Sequence, residues 1–108
     1  MAEQNNNQAC ATPAQEGLMW QPGNIKNHQI TLLRNQINSK YNLNLENYHQ
    51  FHEWSCKHYD LFWSEIWDFC EVISSQKAEC VIDTKISMDK IPKWFSGAKM
   101  NYAENLLR

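Results

Sequence analysis

Residues 61–73, LFWSEIWDFCEVI, hold two of the five tryptophans and two of the four phenylalanines of the chain. At about 100° per residue, the apolar side chains of this stretch share one arc of roughly 160° on a helix: Phe62, Trp63, Ile66, Trp67, Phe69, Cys70 and Ile73. Asp60 is the expected N-cap, because its short carboxylate accepts from the first free N–H groups. The stretch predicts a buried helix.

The opposite side of this helix is polar. We interpret its carboxylates as a solvated face and not as paired catalytic acids: Glu65, Asp68 and Glu71. The aromatic arc is wider than one short neighbouring helix can cover. We therefore expect the helix to be wrapped on two sides or packed against a larger body.

The composition of the chain limits what it can bind. Its 108 residues allow one domain, and ten Lys and Arg against twelve Asp and Glu give a formal net charge of −2. Without a basic block, nucleic acid is not an expected partner. The first residues lack the pattern of a signal peptide, and no stretch has the apolar length of a membrane span. We expect a soluble cytoplasmic protein with no membrane partner.

The cysteines of the chain are predicted to be free thiols. Their spacing matches neither a zinc site nor a redox pair, and no secretory signal precedes them: Cys10, Cys56, Cys70 and Cys80. Cys70 lies on the apolar arc, where a thiol behaves as a small hydrophobe.

Two more helices are predicted before this stretch. Residues 1–19 are polar and predict a mobile tail, and the turn at Pro22-Gly23 is expected to fold Trp20 back on to a domain of residues 20–108. Asn27 is expected to cap a helix of residues 28–41 with one apolar stripe: Ile30, Leu33, Ile37 and Tyr41. Asn47 is expected to cap a helix of residues 48–57 with Trp54 at the margin of its inner face: Tyr48, Phe51, Ser55, His58 and Tyr59.

After residue 74 the pattern is no longer helical. Cys80-Val81-Ile82 predicts one short strand or extended arm, which needs a sheet to join. Residues 91–97 predict a tight turn in which Gly97 takes the left-handed conformation. Asn101, followed by Glu104, resembles a capping box and predicts a terminal helix of residues 102–107. The predicted fold is mainly α, a small cluster of three helices followed by a short strand or extended arm and a terminal helix.

Three features predict that the chain is the front part of a larger polypeptide. The terminal helix has no stop signal before Arg108. The predicted strand has no partner, and the aromatic arc is too broad for its neighbours.

Two long segments carry a resemblance to a known family. WFSGAKMNYAENLL at 94–107 and KYNLNLENYHQFHEWSCKHYDLFWSEIWDFCEVI at 40–73, together with Trp20-Gln21-Pro22, resemble the N-terminal segment of acetoacetyl-CoA synthetases. Those enzymes belong to the acyl-CoA synthetases and other adenylate-forming enzymes. The resemblance implies an acetyl-CoA-synthetase-type N-terminal domain over residues 20–108, normally packed on a larger α/β adenylation domain.

For the full-length protein, the resemblance implies a two-step ligation. Acetoacetate and ATP give acetoacetyl-adenylate and pyrophosphate, and the thiol of coenzyme A then displaces AMP. ATP, Mg²⁺ and coenzyme A are the implied cofactors, with a role in ketone-body use and lipid metabolism. A set of residues is expected to fix the segment to the downstream adenylation domain: Phe62, Trp63, Trp67, Phe69, Trp94, Phe95, Asn101 and Tyr102.

No catalytic, cofactor-binding or metal-binding residue is predicted within the chain itself. Gly17, Gly23 and Gly97 are too far apart in the sequence to form a phosphate cradle. His52 and Cys56 have the spacing of a shared metal or a nucleophile pair, and His49 and His58 are close in sequence. Without a fourth ligand or a group to orient a base, we interpret them as ordinary helical packing.

A second interpretation of the aromatic residues stays open. They would also serve a free-standing helical module that binds a protein partner. A free module should be monodisperse and unfold cooperatively, whereas a severed segment should aggregate or bind hydrophobic dye. A box that stacks a ligand between Trp63, Trp67, Trp94 and Tyr102 is the less favoured alternative to core or docking aromatics.

Overall fold

The computed structural model describes residues 17–87 and 89–108, so most of the predicted tail lies outside the described residues. It contains four helices, α1 (Gln29–Tyr41), α2 (Tyr48–Lys57), α3 (Tyr59–Phe69) and α4 (Tyr102–Leu106). The three longer helices come first, and an extended stretch separates them from α4. The prediction of a mainly α fold is confirmed.

Helix α1 runs close to its predicted bounds, and its C-cap, Asn42, takes the left-handed conformation with φ 52°. Its N-cap is His28, without a side-chain cap bond, so the prediction that Asn27 caps the helix is wrong. Leu33 and Ile37 are buried as predicted. Ile30 is exposed, because it borders an open groove beside Tyr48 and not the core.

Helix α2 has the predicted bounds and the predicted cap, since the Asn47 side chain accepts from the Gln50 N–H at 3.0 Å. Its predicted inner face is partly wrong. Phe51 and Trp54 are the buried residues, whereas Tyr48 is exposed. Tyr48 borders an open groove at the start of the helix. His58 and Tyr59 lie beyond its end at Lys57, so the predicted face mixed residues of two helices.

The core lies where α1 and α2 meet α3. Its buried centre is formed by four residues, Leu33, Ile37, Phe51 and Trp54. Partly buried residues from α3, from the end of α1 and from the link between α1 and α2 pack around it: Tyr41, Leu43, Leu45, Phe62, Ile66 and Phe69. The Asn38 side chain holds that link, because it donates to the Leu45 carbonyl at 3.0 Å and accepts from its N–H at 2.9 Å.

Helix α3 is displaced from its predicted bounds of 61–73. It starts one residue after α2, with His58 as N-cap, so Asp60 lies in the first turn and is not the cap. It ends at Phe69, and Glu71 then takes a positive φ of 51°. Cys70 is therefore exposed at the end of the helix and does not pack as a small hydrophobe. Cys56, Cys70 and Cys80 are free thiols, as predicted, and Cys10 lies outside the described residues.

The extended stretch pairs with the turn that precedes α4. Two isolated antiparallel bridges join them, Gln76 with Lys99 and Cys80 with Ser96. The predicted strand at residues 80–82 is thus reduced to one bridge, and its partner lies in this chain. Gly97 has a φ of 83°, which confirms its predicted left-handed conformation.

Helix α4 starts as predicted, because the Asn101 side chain accepts from the N–H groups of Ala103 and Glu104 at 3.0 and 3.4 Å. It ends at Leu106, one residue earlier than expected. Trp20 is 76% exposed, so the prediction that it folds back on to the domain is wrong. None of the described helices has the length and apolar character needed to span a membrane.

Candidate docking surface

Helix α3 divides its wide aromatic arc between two neighbours. Ile66 and Phe69 pack toward the core made with α1 and α2, and Phe62 touches both that core and Trp63. Trp63 and Trp67 instead contact Trp94 and Phe95 of the turn before α4. The helix is therefore wrapped on two sides, which is one of the two arrangements expected from the width of the arc. We name one group of residues the aromatic surface: Phe62, Trp63, Trp67, Trp94 and Phe95.

The closest aromatic contact of this surface joins Trp67 to Phe95. Their ring centroids are 4.6 Å apart with an interplanar angle of 32°. Phe95 has a positive φ of 46°, a conformation that costs a bulky residue free energy. Its N–H donates to the Val81 carbonyl at 2.7 Å, and this bond and the stacked indole hold it in place.

Trp94 lies beside Phe95 and meets α3 edge-on. Its ring is 6.0 Å from that of Trp63 at 75°, and 6.4 Å from that of Tyr59 at 63°. Trp63 and Trp94 nevertheless remain 42% and 44% exposed. Two indoles half open to water leave a large apolar area available for a partner.

These indoles line a groove of about 520 Å³. Its apolar walls come from α3 and from the loop that leads to the turn: Tyr59, Phe62, Trp63, Ile82, Pro92 and Trp94. Asp83 and Lys90, which carry opposite charges, also line it. The groove therefore offers apolar contact with no net charge of either sign.

Five of the eight predicted docking residues come together in the aromatic surface, and three do not. Phe69 packs on the core, Asn101 caps α4, and Tyr102 is 75% exposed on α4, apart from the indoles. The docking role itself stays a prediction. Tyr59 and Ile82 were missed as parts of this site, although an apolar residue three positions before Phe62 is a signal for the same helical face.

Residues 48–106, which include α2, α3, all of the groove-lining residues and α4, match a family model described as "Acetyl-coenzyme A synthetase N-terminus". This chain belongs to that family. Its similarity to curated proteins extends further toward its start. The acetoacetyl-CoA synthetases of Danio rerio and Macaca fascicularis are 37% and 40% identical to it over 91 residues, 84% of this chain.

The chain is also similar to an enzyme with a different name. The malonamoyl-CoA synthetase of Penicillium aethiopicum is 37% identical over 95 residues, which are 88% of this chain and 13% of that protein. The alignments with the two acetoacetyl-CoA synthetases cover 14% of each relative. The chain thus spans a small part of the length of the curated relatives it matches. No solved structure matches it.

The prediction of a solvated carboxylate face on α3 is wrong for Glu65. Its side chain is 1% exposed, and its Oε1 accepts from the ammonium of Lys40 and from the hydroxyl of Tyr41 at 2.8 Å. Glu65 lies three residues after Phe62 and four before Phe69, so it faces the core where the end of α1 arrives. Asp68 and Glu71 are exposed as predicted.

The contacts of Glu65 shift the titration of both partners. The hydrogen bond to Glu65 raises the pKa of Lys40, since it favours the charged amine. Burial raises the pKa of Tyr41 most, and the hydrogen bond to Glu65 raises it further. Glu65 Oε2 is buried without a protein partner.

Of the histidines and the cysteine near α2, His52 and Cys56 lie side by side, and His58 packs elsewhere. Cys56 Sγ is 3.5 Å from His52 Nε2, while the ring of His58 packs on Trp54 with centroids 5.8 Å apart. Within residues 17–87 and 89–108, no three His, Cys, Asp or Glu side chains are grouped so as to hold a metal ion.

Proposed function

We propose that this chain is the N-terminal structural part of an ATP-dependent acyl-CoA synthetase that uses acetoacetate. The full enzyme would convert acetoacetate, ATP and coenzyme A to acetoacetyl-CoA, AMP and pyrophosphate, in the cytoplasm, for ketone-body use and lipid metabolism. The family match over residues 48–106 supports the proposed class of enzyme. The names of the relatives favour acetoacetate over other short acyl acids.

The role of the segment in this proposal is to pack on the adenylation domain of the same protein. The aromatic surface is the part that docks, because Trp63 and Trp94 expose about half of their area around an apolar groove. Burial of such indoles supplies much of the free energy of an interface. Substrate choice then belongs to residues of the adenylation domain.

ATP, Mg²⁺ and coenzyme A are proposed to bind outside this segment, and the surroundings of its glycines support this. A phosphate cradle needs clustered glycine N–H groups that approach the ligand closely. A Cβ added at Gly97 would lie 3.3 Å from Glu79 Cγ, so a side chain that ends in a carboxylate occupies the space a phosphate would need. Gly17 and Gly23 have open surroundings.

The substrate is tested with the native protein purified by an antibody against residues 20–108. AMP release is measured with coenzyme A, ATP and, in turn, acetoacetate, malonamate or acetate. The proposal predicts AMP release that is fastest with acetoacetate. Faster AMP release with malonamate or acetate would contradict acetoacetate as the substrate but would still support an acyl-CoA synthetase. No AMP release with any of the acids would contradict both the substrate and the class of enzyme.

Docking is tested in the same full-length protein. Trp94→Ala should lower its thermal midpoint and increase the binding of hydrophobic dye, because the indole leaves the interface between domains. Trp20→Ala is the matched control, since Trp20 does not line the groove that Trp63 and Trp94 form. Equal behaviour of the two variants would contradict the assignment of the aromatic surface to docking.

A further inference from the structure

The extended stretch after α3 and the turn before α4 form a pair of antiparallel backbone segments. We name this pair the ribbon: residues 75–81 and 94–99. Gln76 lies opposite Lys99 and Cys80 lies opposite Ser96, so the two bridges are four positions apart on one segment and three on the other. An extra residue on one side of an antiparallel pair is a β-bulge, which bends that segment and interrupts its pairing. The interruption falls on residues 77–79.

Lys77 has free backbone groups at this interruption. The Gln76 carbonyl accepts from the Lys99 N–H at 3.0 Å, and the Gln76 N–H donates to the Lys99 carbonyl at 3.4 Å. Successive residues of an extended strand direct their N–H and C=O groups to opposite edges, so those of Lys77 point away from Lys99. No backbone group in the described part of the chain is bonded to the N–H or C=O of Lys77. The ribbon therefore has an open outer edge, where another strand can pair.

A hollow of about 240 Å³ lies between this edge and α3. Trp67 and Phe95, whose rings contact each other, give the hollow apolar walls, and Lys77 and Ala78 line it on the side of the ribbon. An open edge beside an apolar hollow is what strand addition uses. Main-chain hydrogen bonds hold the added segment, and pockets receive its alternate side chains.

The hollow is continuous with the surface proposed to dock on the adenylation domain, because Trp67 and Phe95 belong to the aromatic surface. The aligned region covers 14% of each of the two acetoacetyl-CoA synthetases, so most of such a protein lies outside it. A ribbon of two strands is marginally stable in water by itself, and a third strand stabilises it. These observations favour the rest of the same protein as the source of the added segment.

We propose that the outer edge of the ribbon at Lys77 is a docking site for an extended segment of the adenylation domain of the same protein. The segment pairs its backbone with the N–H and C=O of Lys77 and places an apolar side chain in the hollow against Trp67. Asp68 and Lys77, which carry opposite charges, both line the hollow, so a segment without net charge fits it. The partner is the domain named in the proposed function, on which this inference rests.

The first test is amide hydrogen exchange of the full-length protein, resolved to single residues by mass spectrometry. The Lys77 amide should exchange at least about tenfold more slowly than in an unfolded chain of the same sequence. Ala78→Tyr fills the hollow and should remove most of this protection. Lys85→Tyr is the matched control, because Lys85 is exposed and does not line the hollow. Exchange of Lys77 at the rate of an unfolded chain, or protection that survives Ala78→Tyr, would overturn the proposal.

The second test identifies the docked segment in the same protein. One end of a short cross-linker reacts with the amine of Lys77, and its other end carries a photoreactive diazirine. Mass spectrometry of the linked peptides should find a peptide that follows residue 108 in the same chain. Links only within residues 1–108, or a link to a second copy that doubles the mass, would contradict the assigned partner.

AMP release with acetoacetate, malonamate or acetate is measured on the same sample. Release of AMP together with an unprotected Lys77 amide would overturn strand docking and leave the proposed function standing. Absence of AMP release would contradict the proposed function, while hydrogen exchange and the cross-link would still decide whether a segment pairs with Lys77.

Discussion

At the junction of α1 and α3, the Tyr41 hydroxyl donates a hydrogen bond to the Glu65 carboxylate at 2.8 Å. Lys40 is bonded to the same carboxylate oxygen, while its own side chain stays half exposed. One buried acid thus fixes the end of α1 against the helix that carries the aromatic surface.

The coupling between Lys40 and Glu65 predicts a non-additive pair of substitutions. Lys40→Met should lower the free energy of unfolding by about 1–3 kcal/mol, because it leaves a buried carboxylate with one donor. Adding Glu65→Leu should recover most of this loss, since the buried charge is removed as well. Urea unfolding followed by tryptophan fluorescence gives the values. Losses that simply add would show that Lys40 and Glu65 act independently.

Alkaline pH should weaken the fold through the same contacts. The protonated forms of Lys40 and Tyr41 are bonded to Glu65, and folding raises their pKa above the ordinary values of 10.5 and 10.0. Their contribution is therefore complete below the unfolded-state pKa and is lost as the pH rises through the folded-state pKa. The free energy of unfolding should therefore begin to fall above about pH 10 and keep falling as the pH rises through the raised pKa values of Tyr41 and Lys40. In a Lys40→Met, Tyr41→Phe double variant, the free energy of unfolding should fall less over this pH range. An equal fall in the variant would show that Lys40 and Tyr41 do not cause it.

Trp67 should matter more to stability than any exposed tryptophan. Trp67→Ala removes the ring stacked on Phe95 at 4.6 Å and should cost about 3 kcal/mol, the low end for a large core aromatic because Trp67 is half-buried. Trp20→Ala should change the free energy of unfolding by less than about 0.5 kcal/mol. Thermal melts of the two variants provide the comparison. Similar melting temperatures for both would mean that α3 is not held by this contact.

The turn beneath the aromatic surface should require Gly97. Gly97→Ala places a Cβ at a positive φ of 83° and 3.3 Å from Glu79 Cγ, and should cost about 1–2 kcal/mol. Gly23→Ala is the control, since nothing lies within 4 Å of its added Cβ. Urea midpoints measure both. A Gly97→Ala variant as stable as Gly23→Ala would show that the turn tolerates a side chain.

Local signals in the sequence predicted the helices well. The caps at Asn47 and Asn101 and the left-handed Gly97 depend on neighbours within a few residues, so short-range rules apply to them. The bounds of α2 were predicted for the same reason. Asp60 was wrongly predicted as a cap because α3 follows α2 almost without a link. The helix begins at Tyr59, one residue before this short acidic side chain.

Contacts between distant residues were not predictable from these signals. Glu65 was assigned to solvent because a helical wheel shows only its own helix, and its partners Lys40 and Tyr41 arrive from α1. The bridge from Cys80 to Ser96 likewise joins segments that no local pattern connects. Within the aromatic surface, clustered aromatics identified Trp63 and Trp94, but only the fold separates them from Phe69, which faces the core.

The apparent mass of the native protein tests the central claim most directly. An antibody against residues 20–108 would be used on a cell extract separated under denaturing conditions. A band several times heavier than 12.8 kDa is expected if this chain is part of an acyl-CoA synthetase, since the matched region covers 14% of its relatives. A single band at 12.8 kDa would contradict that claim and favour a free-standing helical module that binds a protein partner through the aromatic surface.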